Sequence, residues 1–206
     1  CIRDRKRIAE ALNAGKAARS VDLDEDERLL VKNFSLLTMK PMIYVANMSE
    51  EEIADPQSNE YYCQVREHAE KEHNRIVPIC AKIEEELSEL DKEEKDLFLQ
   101  DLGIQESGLD QVIKSAYAIL DLCTFLTAGE DECRAWTFHR GMKAPQCAGV
   151  IHTDFERGFI RAEAYSFEDI DELESEHAIK EAGKLRSEGK EYVVQDGDIL
   201  HFRFNV

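Results

Sequence analysis

The sequence predicts an incomplete α/β unit followed by a small α+β unit. Two short apolar runs, residues 42–46 and 76–81, alternate with helical patterns over residues 22–120, which is typical of parallel strands buried on both faces of a sheet. After residue 121 the pattern changes to short strands around a helix. Because two strands cannot form a stable sheet of the first kind alone, we expect further strands to lie before Cys1 or in a partner.

Helical spacing and capping residues predict the helices of the first half. Gly15 is expected to break the first helix, and Asp22 or Asp24 fits the N-cap of the second. Four apolar residues at helical spacing mark that second helix: Leu29, Leu30, Phe34 and Leu37. The helices predicted here cover residues 1–19, 22–37, 59–72, 82–89, 91–101 and 109–120.

Short apolar runs between glycines predict the second half. Strands are predicted near residues 122–128, 133–138, 159–165, 192–194 and 199–205, with helices over 144–155 and 176–187. Trp136 is expected to pack in the core. His152-Thr153-Asp154 has no nucleophile that pairs with it in the sequence, so we expect it to shape the turn from a helix to a strand.

Composition and charge restrict the function. The chain has 206 residues, 43% of them hydrophobic, and a net charge of −18. Such an acidic chain is not a general phosphate-backbone binder, so we expect no DNA sequence readout. The apolar runs are far shorter than the ~20 residues of a membrane span, so we expect no membrane contact.

The cysteines and the start of the chain indicate a cytoplasmic protein. The six cysteines show no C-x-x-C spacing, and no charged-then-apolar leader is visible, so we expect reduced thiols in the cytoplasm. A chain beginning with Cys1 is expected to have lost its true start. His68 and His73 lie five residues apart, off a common helical face, so we predict no metal site and no catalytic residue in these residues.

The ends of the two apolar strands carry the candidate chemistry. Nucleotide pockets in this kind of α/β unit lie at the carboxyl ends of the strands, so the loops at 47–50 and 80–82 are expected to face one base. Guanine-reading loops have the form Asn-Lys-x-Asp, and their Asp accepts from donors that adenine lacks. Here Met48 and Glu50 replace the Lys and the Asp, which favours adenine. The residues predicted to bind nucleotide are Asn47, Met48, Glu50, Cys80, Ala81 and Lys82.

The Asn-x-x-Glu pattern has a second interpretation, because it is short. Ser49 could be a helix N-cap, with the following glutamates at 50–52 stabilised by the helix dipole. The two interpretations are compatible.

Several longer stretches carry a resemblance to a known family. They are KPMIYVANMSE at 40–50, FLTAG to RAWT at 125–137, KAPQ to IHTDFERGFIRAE at 143–163, EAGK at 181–184 and VQDGD to FRFNV at 194–206. On these stretches the chain resembles the YchF (Obg-like ATPase) family. Its members are translation-factor-related P-loop proteins that are similar to GTPases but favour ATP.

The resemblance implies a division of the chain. Residues 1–21 correspond to the end of a helical (coiled-coil) insert, which is the N-terminal helical segment. Residues 22–120 correspond to the C-terminal half of a P-loop nucleotide-binding domain, an α/β half-domain of two strands with flanking helices. Residues 121–206 correspond to a TGS domain, an α+β domain of β-grasp form. Cys80 stands where related proteins commonly have serine.

The resemblance also implies ATP with Mg²⁺ in the full-length parent and the ribosome or RNA as a partner. The phosphate loop G-x-x-x-x-G-K-[ST] is absent from the 206 residues, so we expect this chain alone to hold no nucleotide and to be inactive. Basic residues that an acidic protein would need for RNA or another partner are Arg134, Arg140, Lys143, Arg157 and Arg161. The alternative function is a non-enzymatic TGS-bearing module that binds RNA or protein.

Overall fold

A computed structural model of the chain describes residues 2–72, 74–129 and 132–205. The chain divides into two compact units, Cys1–Ile119 and Leu120–Val206, each with its own sheet. His73, which the sequence pattern set beside His68, lies outside the described residues.

The elements of the first unit alternate as predicted. In chain order they are α1 (Ile2–Asn13), α2 (Glu25–Lys32), β1 (Ile43–Asn47), α3 (Glu60–Lys71), β2 (Arg75–Ile79), α4 (Ala81–Ser88), α5 (Lys92–Asp101) and α6 (Gly108–Ile119). Short 3-10 turns lie at Ala18–Ser20, Leu37–Met39 and Pro56–Ser58. The predicted break after the first helix is confirmed, because Gly15 takes φ +73°, which ends a right-handed helix.

The strands β1 and β2 run parallel, so their carboxyl ends lie side by side. Asn47 is opposite Ile79, and the Met48 N–H donates to the Ile79 carbonyl at 2.8 Å. The backbone groups of Arg75 and Ile79 face β1, so those of Pro78 face the opposite edge of β2. Proline has no N–H to donate there, so an additional strand is expected beside β1.

Burial of both strands on two faces was predicted, and for β1 this is wrong. Val45, in the middle of the strand, is 48% exposed. The physical reason is that the described helices leave the Val45 face of β1 partly uncovered.

The helix α2 begins as predicted but ends early. The Asp24 carboxylate accepts from the Glu27 N–H at 2.8 Å and Glu27 caps Asp24 in return, which confirms Asp24 as the N-cap. The helix stops at Lys32 instead of residue 37, because Ser35 takes φ 50°, in the left-handed region.

The apolar residues of the first unit form two clusters. One joins α1, the segment after it and α2: Ile8, Ala18, Leu23 and Val31. The other lies at α4 and α5: Cys80, Ile83, Leu87 and Leu99. The four residues that marked α2 in the sequence are exposed, so Val31 carries the buried face of that helix.

The second unit is built on a five-stranded mixed sheet. Its elements are β3 (Leu122–Ala128), β4 (Cys133–His139), α7 (Ala144–Ile151), α8 (Thr153–Arg157), β5 (Phe159–Ser166), α9 (Phe167–Leu173), α10 (Glu176–Glu181), β6 (Arg186–Glu188) and β7 (Asp198–Phe204). The strand order is β4-β3-β7-β5-β6, with β3 and β7 parallel and the other neighbours antiparallel.

One face of this sheet holds the main core of the second unit. Phe125 and Phe138 are fully buried there with Cys147 of α7, and burial raises the pKa of that thiol to about 12, so it packs as a neutral group. Trp136 packs against this core as predicted, and its indole N–H donates to the Thr127 hydroxyl at 2.9 Å. The described cysteines are free, as expected: Cys63, Cys80, Cys123, Cys133 and Cys147.

The helix predicted over residues 144–155 is divided into α7 and α8 at His152. The backbone is extended there, with φ −159° and ψ 140°, and the His152 Nδ1 accepts from the Asp154 N–H at 3.2 Å. The side chain therefore shapes the chain path, as predicted, but at a turn between two helices.

The helix predicted over residues 176–187 is too long. It ends at Glu181, because Gly183 takes φ +70° and the Lys184 N–H donates back to the Ile179 carbonyl at 3.0 Å. The helix α9 precedes it and the strand β6 follows it, and neither element was predicted.

The prediction of a strand at 192–194 is wrong. Val193 forms one isolated bridge to Lys143, which is too short to make a strand. Asp198, only 3% exposed, organises the segment instead. Its carboxylate accepts from the Tyr192 hydroxyl at 2.7 Å, the Gln195 N–H at 2.9 Å and Arg186 at 3.0 Å. At the isolated bridge the Tyr192 carbonyl accepts from the Ala144 N–H and the Val194 N–H donates to the Met142 carbonyl. Asp198 holds the segment beyond this bridge through one backbone N–H and two side chains.

Deleting residues 199–206 is expected to unfold residues 121–198 as a whole. The deletion removes β7, the central strand, and with it the buried Leu200 and Phe202. Two-dimensional NMR of the truncated chain should show loss of the dispersed amide signals of these residues, with the first unit affected much less.

The substitution Phe204→Ala is the matched control, because Phe204 lies at the exposed end of β7. It should keep the dispersed spectrum, although it removes the ring stacked on Phe155 with centroids 3.8 Å apart. A truncated chain with a native-like spectrum would show that β7 is not needed for this fold.

Candidate functional site

The two loops predicted to share one base meet at the carboxyl edge of the parallel strands. The Ala81 N–H donates to the Asn47 side-chain oxygen at 3.1 Å, which ties the end of β1 to the start of α4. Ala81 is the first residue of α4, where a backbone N–H has no partner within the helix. The Asn47 side chain supplies that partner from the end of the neighbouring strand. It therefore fixes the distance between the two loops.

An open cleft of about 390 Å³ lies between these loops. All six predicted nucleotide-binding residues line it, together with Ser49 and Glu51. Its volume falls in the range of about 300–1,000 Å³ that small-molecule sites occupy. The structure therefore brings the whole predicted set together at one site.

An ion pair crosses the mouth of the cleft. The Lys82 ammonium contacts the Glu50 carboxylate, and this contact raises the pKa of Lys82. Both side chains are largely exposed, so the pair contributes little to the stability of the fold. It does fix where the Glu50 carboxylate lies relative to the second loop.

The inner wall of the cleft is less polar. Cys80 is 4% exposed and packs with Ile83 and Leu87 beneath the cleft, so it acts through its backbone and its bulk. Met48 is half-buried and presents an apolar side chain beside the polar edge formed by Asn47. The arrangement offers an apolar surface and amide donors and acceptors to a planar ring.

The alternative interpretation of this loop, a helix cap at Ser49, is not realised as a helix. Residues 50–54 form a turn, in which the Ile53 N–H donates to the Ser49 carbonyl at 3.1 Å. The Ser49 hydroxyl donates to the Glu52 carboxylate at 2.9 Å, and hydrogen bonds from Asn59 and Ser49 lower the pKa of Glu52.

Two glutamates that support the cleft have no signal in the sequence. The Glu84 carboxylate accepts from the backbone N–H groups of Gly108 at 2.7 Å and Leu109 at 3.2 Å, so it anchors the start of α6 to α4. Gly108 is required there, because a Cβ would lie 2.6 Å from the Ile79 side chain.

The second of these, Glu72, joins three segments behind β1. It accepts from Arg19 at 2.9 Å, the Tyr44 hydroxyl at 3.3 Å and the Asn74 amide at 2.9 Å, and the hydrogen bond from Arg19 lowers the pKa of Glu72. Tyr44 lies three residues before Asn47 on the same strand. Only the fold brings Arg19 and Tyr44 to Glu72, because they lie 53 and 28 residues away in the sequence.

The five basic residues predicted as a partner surface are spread over several elements. They come from β4, the segment after it, α8 and β5. Four of them pair with carboxylates: Arg134 with Glu132, Arg140 with Asp121, Lys143 with Glu191 and Arg161 with Glu163. Local pairing lowers the net charge that such a patch can offer, so the patch stays a prediction.

Across residues 2–72, 74–129 and 132–205, no three His, Cys, Asp or Glu side chains converge as a metal ion would require. Within these ranges none of the helices has the length and apolar character needed to cross a bilayer.

Comparison with known proteins extends this description. Residues 122–205 match a family described as "YchF-GTPase_C: Protein of unknown function (DUF933)". The chain is similar to the "Ribosome-binding ATPase YchF" of Bacillus subtilis (strain 168), with 58% identity over 200 residues, covering 97% of this chain and 55% of that protein. The protein of that name in Haemophilus influenzae is 52% identical over 201 residues, covering 98% and 54%.

A solved structure is also similar. The Schizosaccharomyces pombe YchF GTPase matches with a TM-score of 0.83 and 34% identity, over 97% of this chain and 53% of that chain. The chain therefore spans about half the length of the relatives that it matches.

Mixed strands with flanking helices and a cleft at the carboxyl edge of a parallel pair define an α/β nucleotide-binding-like protein. The sequence identities and the structural match specify a family within that class. The chain belongs to the YchF family.

The substitution Asn47→Ala should loosen the cleft, because the Ala81 N–H loses its acceptor. A hydrogen bond of this kind contributes about 1 kcal/mol, so amide hydrogen exchange at Ala81 should accelerate about fivefold. Asn47→Asp keeps an oxygen acceptor and should exchange close to the unsubstituted rate. Unchanged exchange in Asn47→Ala would contradict the role of this bond.

Proposed function

We propose that this chain is part of an ATP-binding and ATP-hydrolysing, ribosome-associated protein, and that its cleft reads the adenine base. The observation that carries the proposal is the hydrogen bond from Ala81 to Asn47, which holds both loops around one ligand-sized cleft. The relatives named ribosome-binding ATPases support the activity and the partner.

Preference for adenine rests on the state of Glu50. A guanine-reading loop needs a carboxylate that is free to accept from two donors of the base. Here the Glu50 carboxylate pairs with Lys82, and the side chain is one carbon longer than the Asp of such a loop. The half-buried Met48 packs well on a ring and accepts no strong hydrogen bond, so it does not select guanine either.

The finer assignments follow the resemblance. We assign residues 1–21 to the end of a helical insert, 22–120 to the C-terminal half of the nucleotide domain, and 121–206 to a TGS domain of β-grasp form. The mixed five-stranded sheet with a helix across one face supports the last assignment.

Phosphate and Mg²⁺ binding belong to other residues of the full-length protein in this proposal. The 206 residues contain no phosphate loop, and the described residues bring no metal-binding set together. When bound, Mg²⁺ would neutralise charge on the phosphates, while the residues of this chain orient the base. A cytoplasmic location follows from the proposed ribosome association.

A second candidate function is a non-enzymatic module that binds RNA or protein through the second unit. Its support is that the second unit has a complete sheet and core, whereas the sheet of the first unit has two strands among the described residues. The basic residues at 134, 140, 143, 157 and 161 are the proposed contacts for either function.

In the full-length protein, ATP should bind about tenfold more tightly than GTP. The physical reason is that guanine leaves its N1–H and 2-amino donors without an acceptor at Glu50, and unpaired buried polar groups cost about 1–3 kcal/mol. Calorimetric titration with both nucleotides measures the ratio.

The double substitution Met48→Lys with Glu50→Asp tests the same loop in reverse. It recreates Asn-Lys-x-Asp and should shift the preference toward GTP. Glu51→Asp, which changes a neighbouring carboxylate of the cleft rim, is the matched control and should leave the ratio unchanged. Equal affinities for ATP and GTP in the unsubstituted protein would contradict the proposed adenine preference.

The 206-residue chain alone should hydrolyse no ATP above background, since the groups that act on the phosphates lie outside it. A contaminant-free preparation with Mg²⁺ and ATP checks this expectation by phosphate release. If the full-length protein hydrolyses ATP while the 206-residue chain does not, the ATPase function is supported. If neither hydrolyses ATP, the non-enzymatic module is supported.

A further inference from the structure

The second unit carries a cleft that the proposed nucleotide site does not use. It has a volume of about 360 Å³ and lies between α10 and the strands β5 and β7. Its basic side chains are His177, Lys180, His201 and Arg203, and Glu163 and Glu176 also line it. This grouping stands out in a chain whose net charge is −18.

Hydrogen bonds fix the walls of this cleft before any ligand arrives. Ile179 of α10 is fully buried and packs in a cluster with Tyr165 and Ile199 of the sheet. The Tyr165 hydroxyl donates to the Glu176 carboxylate at 2.7 Å, which ties the start of α10 to β5. Burial, reinforced by this bond, raises the pKa of Tyr165, so the donor keeps its proton.

Two arginines lie directly opposite each other beside the cleft. Arg161 and Arg203 are cross-strand partners, a like-charge arrangement that destabilises a sheet. The Glu163 carboxylate bridges them, accepting from Arg161 at 3.1 Å and from Arg203 at 3.0 Å. These contacts lower the pKa of Glu163, with the Arg203 hydrogen bond as the largest cause.

The two carboxylates of the cleft are therefore already occupied. Glu163 accepts from two arginines, and Glu176 accepts from Tyr165. By contrast, Lys180 and His201 pair with no carboxylate of the described ranges. His177 pairs with Glu181 at 3.6 Å and Arg203 with Glu163 at 3.0 Å, so Lys180 and His201 are the basic side chains of the cleft that no ion pair among the described residues uses.

We propose that this cleft binds the phosphate group of a small phosphorylated molecule. A guanidinium, an ammonium and imidazole N–H groups around one cavity are the donors that a tetrahedral oxyanion requires. Lys180 of α10 supplies the unpaired charge and His201 of β7 a directed donor, and Arg203 adds the N–H groups that Glu163 does not accept.

A small ligand fits these observations better than a nucleic-acid strand. Residues 121–206 carry 10 basic and 18 acidic groups, so a long polyanion would be repelled by the rest of this unit. The donors converge on one concave site of about 360 Å³, which suits one phosphorylated molecule rather than a row of backbone phosphates.

The test is an NMR titration of the ¹⁵N-labelled 206-residue chain with inorganic phosphate and, separately, pyrophosphate. Saturable shifts are expected at the amides of α10 and of His201 to Arg203. Lys180→Gln should weaken binding about tenfold, because it removes one charge-assisted contact. Lys190→Gln changes an exposed lysine that does not line the cleft, and should leave the affinity unchanged.

A second pair of variants separates binding from structure. Arg203→Gln and Arg161→Gln each remove one arginine from Glu163, but only Arg203 lines the cleft. Only Arg203→Gln should therefore weaken phosphate binding. Absence of saturable shifts, or equal weakening by both members of either pair, would overturn the proposal.

Single-stranded RNA forms the last arm of the experiment. RNA that perturbs the same amides while inorganic phosphate and pyrophosphate do not would also overturn the small-ligand proposal. Binding of the two small anions without binding of RNA supports it.

Discussion

The parallel register of β1 with β2 is the constraint on which the candidate base site depends. With Asn47 opposite Ile79, the loops after both strands leave the sheet at one level. The Asn47 side chain can then reach the first N–H of α4, and Glu50 can reach Lys82. A register slip of one residue would turn the Asn47 side chain to the other face of the sheet, and both contacts would be lost.

The same pair of strands shows which edge of the sheet in the first unit lacks a neighbouring strand among the described residues. Pro78 removes a donor from the outer edge of β2, whereas the outer edge of β1 keeps its backbone groups and exposes Val45. Two separate apolar clusters lie around this small sheet instead of one continuous core. The outer edge of β1 is therefore where a further strand would pair with the first unit. The sheet of the second unit has five strands and a core of its own.

Elements set by local chemistry could be predicted from the sequence, and those set by distant side chains could not. The apolar runs at 42–46 and 76–81 located both strands and so the residues of the cleft, because strand ends and the loops that follow them are adjacent in sequence. Gly183 carried a readable stop signal that the prediction missed. The failure at 192–194 had another cause, since that segment forms one isolated bridge to Lys143 and Asp198 organises it through contacts that no spacing rule indicates.

The acidic composition has a structural meaning beyond net charge. Glu72, Glu84, Glu163 and Asp198 each accept two or more hydrogen bonds, so each carboxylate links its own segment to another part of the same unit. A carboxylate engaged in this way no longer repels an anion as a free one does, because its charge is matched by cations and N–H groups nearby. For that reason an acidic protein can still present anion-binding clefts, and they are to be sought where carboxylates are occupied and cations remain free. In the cleft bounded by α10 and β7 the carboxylates are occupied and Lys180 pairs with no carboxylate of the described residues, whereas at the base cleft the one lysine is itself paired with Glu50.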